Sequence, residues 1–116
     1  MAAVLEAADK KYARLLFDIA HYQQGGGDPV AALREYRDWL EVIHLKDVRP
    51  SGDTYQFVEL GRGRIDLPGV FAALRGIGFD KWAIVELGRV PDAGRTPIEA
   101  AEVNKRYLIE QAHETI

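Results

Sequence analysis

The 116-residue sequence contains no cysteine. Disulfides, thiolate metal sites and cysteine nucleophiles are therefore excluded, and a reducing cytoplasm is permitted though not demanded; the location is expected to be cytoplasmic. Nor is there an excess of basic charge. Fifteen Lys and Arg stand against eighteen Asp and Glu, for a net charge of −3 and a pI near 5.6. Readers of a phosphate backbone carry the opposite balance, so a nucleic-acid partner is not expected. No apolar run approaches the roughly 18 to 20 residues of a membrane span, and no signal-peptide core follows Met1. Low-complexity tracts are missing as well. The chain is 47% hydrophobic and 28% charged, the composition of an ordinary globular domain, and residues 1–116 are expected to form one.

Elements alternate along the chain. Ala2 to Ala8 is rich in strong helix formers and is ended by Asp9-Lys10-Lys11. Ala13 to Phe17 reads as a short buried strand stopping at Asp18. After Gly25-Gly26-Gly27, Asp28-Pro29 is a helix cap followed by proline in the first turn, and Val30, Leu33, Tyr36 and Leu40 carry a helical stripe to about Trp39. A second strand, Val42 to Leu45, contains His44, and 49–53 (Arg-Pro-Ser-Gly-Asp) reads as a turn-rich loop. Asp66 and Pro68 open a helix with Leu67, Val70, Phe71 and Leu74 on one face, closed by Gly76 and Gly78. A third strand, Trp82 to Val85, ends at Glu86. Thr96-Pro97-Ile98-Glu99 is a capping box opening a long helix toward His113, with Ala100, Ala101, Val103, Tyr107 and Leu108 as its buried stripe. Short all-apolar strands alternating with helices predict an α/β fold of three parallel strands plus a leading helix, each strand covered on both faces.

Each predicted strand ends on an ionisable residue: Asp18, His44 and Glu86. Ligand and catalytic groups gather at the C-terminal ends of parallel strands. An Asp, a His and a Glu converging there offer oxygen and nitrogen donors suited to Mg²⁺, Mn²⁺, Co²⁺ or Zn²⁺; the plainer alternative is that they cap loops and pair with neighbouring charges.

Four stretches resemble a known superfamily. Leu16-Phe17-Asp18-Ile19-Ala20-His21 is similar to the Asp-x-x-His motif of the xylose-isomerase-like TIM barrels, which include sugar isomerases, ketose 3-epimerases, inosose dehydratases and isomerases, and the endonuclease IV group. Val42 to Asp47 resembles their His-(Leu/Ile)-Lys-Asp strand, Gly61-Arg62-Gly63-Arg64-Ile65-Asp66 their Gly-x-Gly-x-x-Asp stretch, and Trp82 to Glu86 their last strand with its terminal Glu. The resemblance covers about Tyr12 to His113, in the right order.

The resemblance implies a partial (β/α) TIM barrel, the C-terminal three βα units of a barrel that needs about 250 residues and eight strands. It implies that Asp18, His44 and Glu86 are three of four ligands of a divalent metal, and that His21 and Arg49 contact substrate hydroxyls. Glu86 would also be one of two carboxylates moving a proton beside a carbonyl of a sugar or cyclitol by way of an enediolate. Two departures stand out. Tyr55 and Phe57 occupy the places of the Asp-x-His pair of the endonuclease-like members, and the fourth ligand, a Glu on an earlier strand and the second catalytic carboxylate, has no counterpart; Glu6 lies on the leading helix and cannot replace it. The implied activity is thus that of an isomerase, epimerase or related dehydratase in a complete barrel, the alternative being a non-catalytic partial barrel retained for self-association. A three-stranded sector leaves two open sheet edges, so a homodimer, or pairing with the remaining barrel units, is expected.

Other conspicuous residues have plainer readings. Lys46 and Asp47 either pair with each other in the loop or orient His44. Gly25-Gly26-Gly27 is a plain loop, since Asp28 at the cap repels the anion such a loop could cradle. Trp39 and Trp82 are expected in packing, with sugar stacking as the alternative. His113 is expected to be solvated, and Arg62 and Arg64 either balance an acidic rim or are exposed.

Overall fold

The computed structural model describes residues 2–91 and 94–111. The element order is α1 (Ala2–Ala7), β1 (Leu15–Asp18), α2 (Ile19–Gln24), α3 (Pro29–Glu35), β2 (Leu40–Leu45), β3 (Asp47–Ser51), β4 (Thr54–Val58), α4 (Leu67–Gly76), β5 (Trp82–Val85) and α5 (Pro97–Glu110). The three expected strands form one parallel sheet in the order β1-β2-β5, with Phe17 beside Ile43 and Ile43 beside Ala83. Among the described residues, no helix is long and apolar enough to cross a membrane.

Helix starts follow the local chemistry. Asp28 accepts from the amides of Val30 and Ala31, and Asp66 from that of Gly69, each ahead of a proline in the first turn. Thr96 accepts from Glu99 N. Helix α2 lies between the expected first strand and the glycines, where no element is expected from the sequence. Asp18 caps it through the amides of Ala20 and His21, and Gly25 ends it. Six residues are too few to display helical periodicity, which is why the cap is its only sequence signal. Helix α3 ends at Glu35 rather than near Trp39, because Tyr36 to Trp39 turn the chain into β2 and Leu40 joins that strand.

The segment read as a turn-rich loop is an antiparallel hairpin. Strands β3 and β4 pair from Asp47 opposite Val58 to Ser51 opposite Thr54, around a two-residue Gly52-Asp53 turn. Gly52 has φ of +60°, a conformation that glycine adopts without steric cost. Thr54-Tyr55-Gln56-Phe57-Val58 supplies the β-branched and aromatic residues of the return strand, and Pro50 is tolerated in a two-stranded ribbon.

The sheet is covered on one face only, and there only over β1 and β2, since β5 is exposed apart from half-buried Val85; this corrects the expectation of cover on both. Phe17, Ile43 and Leu45 are no more than 2% exposed and pack with Ile19, Leu33, Val70 and Leu74 under the helices. On the opposite face Leu16 is 52% exposed, Ile84 46% and Trp82 74%. Trp82 is therefore not the packing residue expected. Trp39 is half-buried, with the Lys10 ammonium 5.1 Å from its ring centroid. The stripe of α5 differs too: Ala100 and Leu108 are buried, but with them lies Asn104, whose Oδ1 accepts from Leu60 N at 2.7 Å. A cleft of about 690 Å³, lined by Trp82, Val85, Leu87, Val90 and Ala100 among others, separates β5 from α5.

The N-terminal ends of the three strands are tied by one carboxylate. Glu41 Oε2 lies 3.2 Å from Arg14 Nε and 3.0 Å from Lys81 Nζ, and Lys81 also donates to Leu40 O. The hydrogen bond from Lys81 and that from Arg14 hold the Glu41 carboxyl below its ordinary value of 4.5. A depressed carboxyl contributes stability above that value and loses it as pH falls through the lowered one. Glu41→Gln should accordingly lower the melting temperature at neutral pH, by a margin that shrinks as the solution is acidified below pH 4.5. A constant margin across that range would contradict the clamp.

Candidate metal centre

Asp18 closes β1, His44 lies one residue before the end of β2, and Glu86 follows β5 directly. Parallel pairing sets Asp18 beside His44, and the amide of Glu86 donates to Leu45 O at 3.0 Å. Side chains alternate along a strand, so His44 projects onto the uncovered face, away from Ile43 and Leu45. One donor atom from each of the three residues lies within 4.8 Å of the other two; among the described residues this is the one such cluster of His, Asp and Glu.

Each donor is positioned by a separate device. Asp18 divides its oxygens: Oδ1 accepts from the amides of Ala20 and His21, at 3.0 and 2.9 Å, leaving Oδ2 to face the cluster. His44 Nδ1 is 2.7 Å from Glu86 Oε2 and 3.8 Å from Asp18 Oδ2. Lys46 Nζ sits between the carboxylates, 3.1 Å from Asp18 Oδ2 and 3.0 Å from Glu86 Oε2. Its hydrogen bond is the largest influence holding the Glu86 carboxyl below its ordinary range, with the charges of Lys46 and His44 adding to it against the opposing effect of burial. The donor set fits a hard or borderline divalent cation, being two carboxylates and one imidazole, with one carboxylate pinned by backbone amides.

Lys46 and Asp47 do not pair in the way the simpler reading expects. Lys46 turns to Asp18 and Glu86, while Asp47 points the other way, is 1% exposed, and accepts four amides. Oδ1 takes Val48 N at 2.9 Å and Ile65 N at 3.0 Å; Oδ2 takes Gly61 N at 3.1 Å and Gly63 N at 2.9 Å. The Gly-x-Gly stretch is thus a cradle closed on a buried carboxylate, not a point of flexibility. A Cβ at Gly63 would fall on Asp47 Oδ1 and Val48 O, and Gly61 has φ of +83° against the Tyr107 ring.

His21, at the start of α2, lies at the edge of the cluster with Nε2 3.9 Å from Asp18 Oδ2. Its ring packs against Phe57, centroids 4.7 Å apart, and Phe57 meets Tyr55 edge-on at 5.3 Å. The two aromatic residues that replace the Asp-x-His pair therefore form a wall on one side of the cluster. Arg49 lies on β3, where Nη2 donates to Gln56 Oε1 at 3.1 Å. Gln56 Nε2 in turn reaches Pro91 O, and buried Glu59 accepts from Arg95 Nη1, so that two bonds fasten the segment following Glu86. Gly25 caps the end of α2 and is exposed with Gly26, Gly27 after them is half-buried, Arg62 and Arg64 are exposed, and His113 lies outside the described residues.

Sequence reading missed Lys46 as a member of the cluster, although its spacing of two from His44 is the signal that both share a face. It also missed Phe57, since the hairpin that carries it was not recognised.

Residues 1–111 match the sequence profile of the family described as xylose isomerase-like TIM barrel. An inosose dehydratase of Geobacillus kaustophilus (strain HTA426) is 31% identical, over 95% of this chain and 40% of the relative. One from Klebsiella pneumoniae (strain 342) is 34% identical, over 84% and 38%. The crystal structure of a sugar phosphate isomerase/epimerase from Parabacteroides distasonis superposes with a TM-score of 0.79 at 26% identity, covering 94% of this chain and 35% of that one. The chain spans about two-fifths of the length of the curated relatives it matches.

Proposed function

The chain belongs to the xylose isomerase-like TIM barrel family, and from that premise we propose that it carries three metal ligands, Asp18, His44 and Glu86, of an isomerase, epimerase or dehydratase acting on a sugar or cyclitol. The observation supporting this most strongly is the convergence of these three donors at the C-terminal ends of adjacent parallel strands. A divalent cation there would polarise a carbonyl and neighbouring hydroxyl, lowering the cost of removing a proton from the carbon between them. Glu86 is the base in this reading. Its carboxyl lies below the ordinary carboxylate range, so it is ionised at neutral pH and free to accept that proton. His21 would offer its ring nitrogens to substrate hydroxyls, and Arg49 would reach them from the hairpin. Epimerisation needs a second acid to return the proton, and dehydration needs one to protonate the departing hydroxyl as water; the resemblance implies a Glu for this on a strand of the barrel beyond the span of this chain. The chain is then a single domain over 1–116 forming the C-terminal sector of a barrel, and its cysteine-free composition suits the cytoplasm.

The test is solvent exchange. A protein carrying this sector in a complete barrel, incubated with Mn²⁺ in deuterium oxide, should place deuterium on the carbon beside the carbonyl of an inosose or a ketose. No incorporation with any such substrate, in metal-replete protein, would refute the reading.

The bare sheet face supports a second element of the proposal, association. Leu16, Val42, Trp82 and Ile84 share that face, and β1 and β5 each present an unpaired edge. Covering a large apolar side chain gains about 1.5–3 kcal/mol, so an open face of this kind favours a partner. In a complete barrel the remaining units cover it; for the isolated 116 residues, a second copy would. Rotation about an axis along the strands brings β1 of one copy to β5 of the other, in parallel, and closes both edges at once. Sedimentation equilibrium at micromolar concentration should show a dimer, and Trp82→Ser with Ile84→Ser should shift it to monomer. A wild-type monomer that unfolds cooperatively would contradict this.

A further inference from the structure

We propose that Lys46 is the resident counter-cation of the metal centre, an ammonium that a divalent ion must displace before Asp18 and Glu86 can both ligate it. The inference rests on the metal-centre reading above and deepens it by assigning the residue that regulates loading. The position of Lys46 comes first. Its Nζ contacts Asp18 Oδ2 and Glu86 Oε2, the two oxygens turned toward His44, so ammonium and metal compete for the same atoms. Burial comes second. Lys46 is 5% exposed, so its charge is balanced by those carboxylates rather than by water, and the pair of acids is held together without a metal. Third, Lys46 has another berth. Its Nζ lies 4.8 Å from the centroid of the Phe57 ring, whose face attracts a cation, so an ammonium released by both carboxylates keeps a partner.

Two effects oppose each other when Lys46 is removed. The cation meets less repulsion and finds its ligands vacant, but the ligands lose a tether. The other tethers decide the balance. Asp18 Oδ1 stays on the amides of Ala20 and His21, and the backbone of Glu86 is fixed by its own amide on Leu45 O. Neither depends on Lys46. Removal of the charge therefore outweighs loss of the tether, and binding tightens.

The experiment is calorimetric titration of the full 116-residue chain with Mn²⁺ alone, for the wild type, Lys46→Met and Lys46→Arg. Cooperative thermal melts of each metal-free protein confirm folding, and Lys46→Gln substitutes for the Met variant if that one does not fold. Lys46→Met should bind Mn²⁺ at least about tenfold more tightly than the wild type, or about 1.4 kcal/mol. Lys46→Arg, which keeps the charge, should show no gain. A merely structural lysine predicts weaker binding in both. A folded Met or Gln variant with equal or weaker affinity overturns the inference and leaves the metal centre standing. Binding by the Met variant alone supports displacement while showing that the wild-type centre excludes the ion. Absence of binding in every variant overturns the inference, while the metal-centre reading is tested separately in the complete barrel.

Discussion

Asp47→Ala should lower the stability of the chain by about 3 kcal/mol or more, among the larger effects a single substitution produces. The carboxylate accepts four backbone amides from two stretches of chain, Val48 beside it and 61–65 beyond the hairpin, and those of Val48 and Ile65 are buried. An unsatisfied buried donor costs about 1–3 kcal/mol, and the total is limited by how far the emptied cradle relaxes. Asp47→Asn should lose a comparable amount, since an amide group presents two donors of its own to the same N–H groups. Gly63→Ala should act through the same cradle by driving a methyl group into Asp47 Oδ1. Urea denaturation measures all three. A loss below about 0.5 kcal/mol for Asp47→Ala, the range of inconsequential surface changes, would show that the cradle does not hold the segment between the hairpin and α4.

Glu86→Gln, in a protein carrying the complete barrel, should lower kcat by about a thousandfold while leaving the fold intact. The size follows from general-base catalysis, which contributes about a hundredfold to ten-thousandfold, with loss of one metal ligand added to it. Its side chain is 44% exposed, and Gln keeps an oxygen for the buried Lys46 ammonium, which also retains Asp18. Steady-state turnover and deuterium incorporation should fall together. A variant retaining more than a tenth of the wild-type kcat would remove Glu86 from the path of the proton.

The parallel strands and the three donors at their ends were legible in the sequence because both depend on local pattern. Short apolar runs terminated by Asp18 and Glu86, or followed one residue on from His44, mark a strand and its C-terminal end without reference to anything distant. The caps at Asp28, Asp66 and Thr96 were legible for the same reason: side-chain oxygen and proline lie within one turn of each helix. What escaped notice depends on partners remote in sequence. Asp47 contacts amides 14 to 18 residues onward, so nothing next to it distinguishes a cradle from a loop ion pair. Lys46 meets carboxylates from two other strands. Trp82 and Leu16 carry the composition of buried residues, yet lie on the face left bare in a three-stranded sector. The hairpin is a different case. Gly52-Asp53 between two short runs is a local turn signal, but Arg49, Pro50 and Ser51 diluted the first run enough to read as loop.

The most direct measurement of the central claim is anomalous diffraction from crystals grown with Mn²⁺. The expected result is a single anomalous peak bonded to a carboxylate oxygen of Asp18, a ring nitrogen of His44 and a carboxylate oxygen of Glu86, with the Lys46 ammonium moved off the two acids toward Phe57. Crystals at saturating Mn²⁺ in which no peak lies among these three side chains, and Lys46 still bridges Asp18 and Glu86, would contradict it.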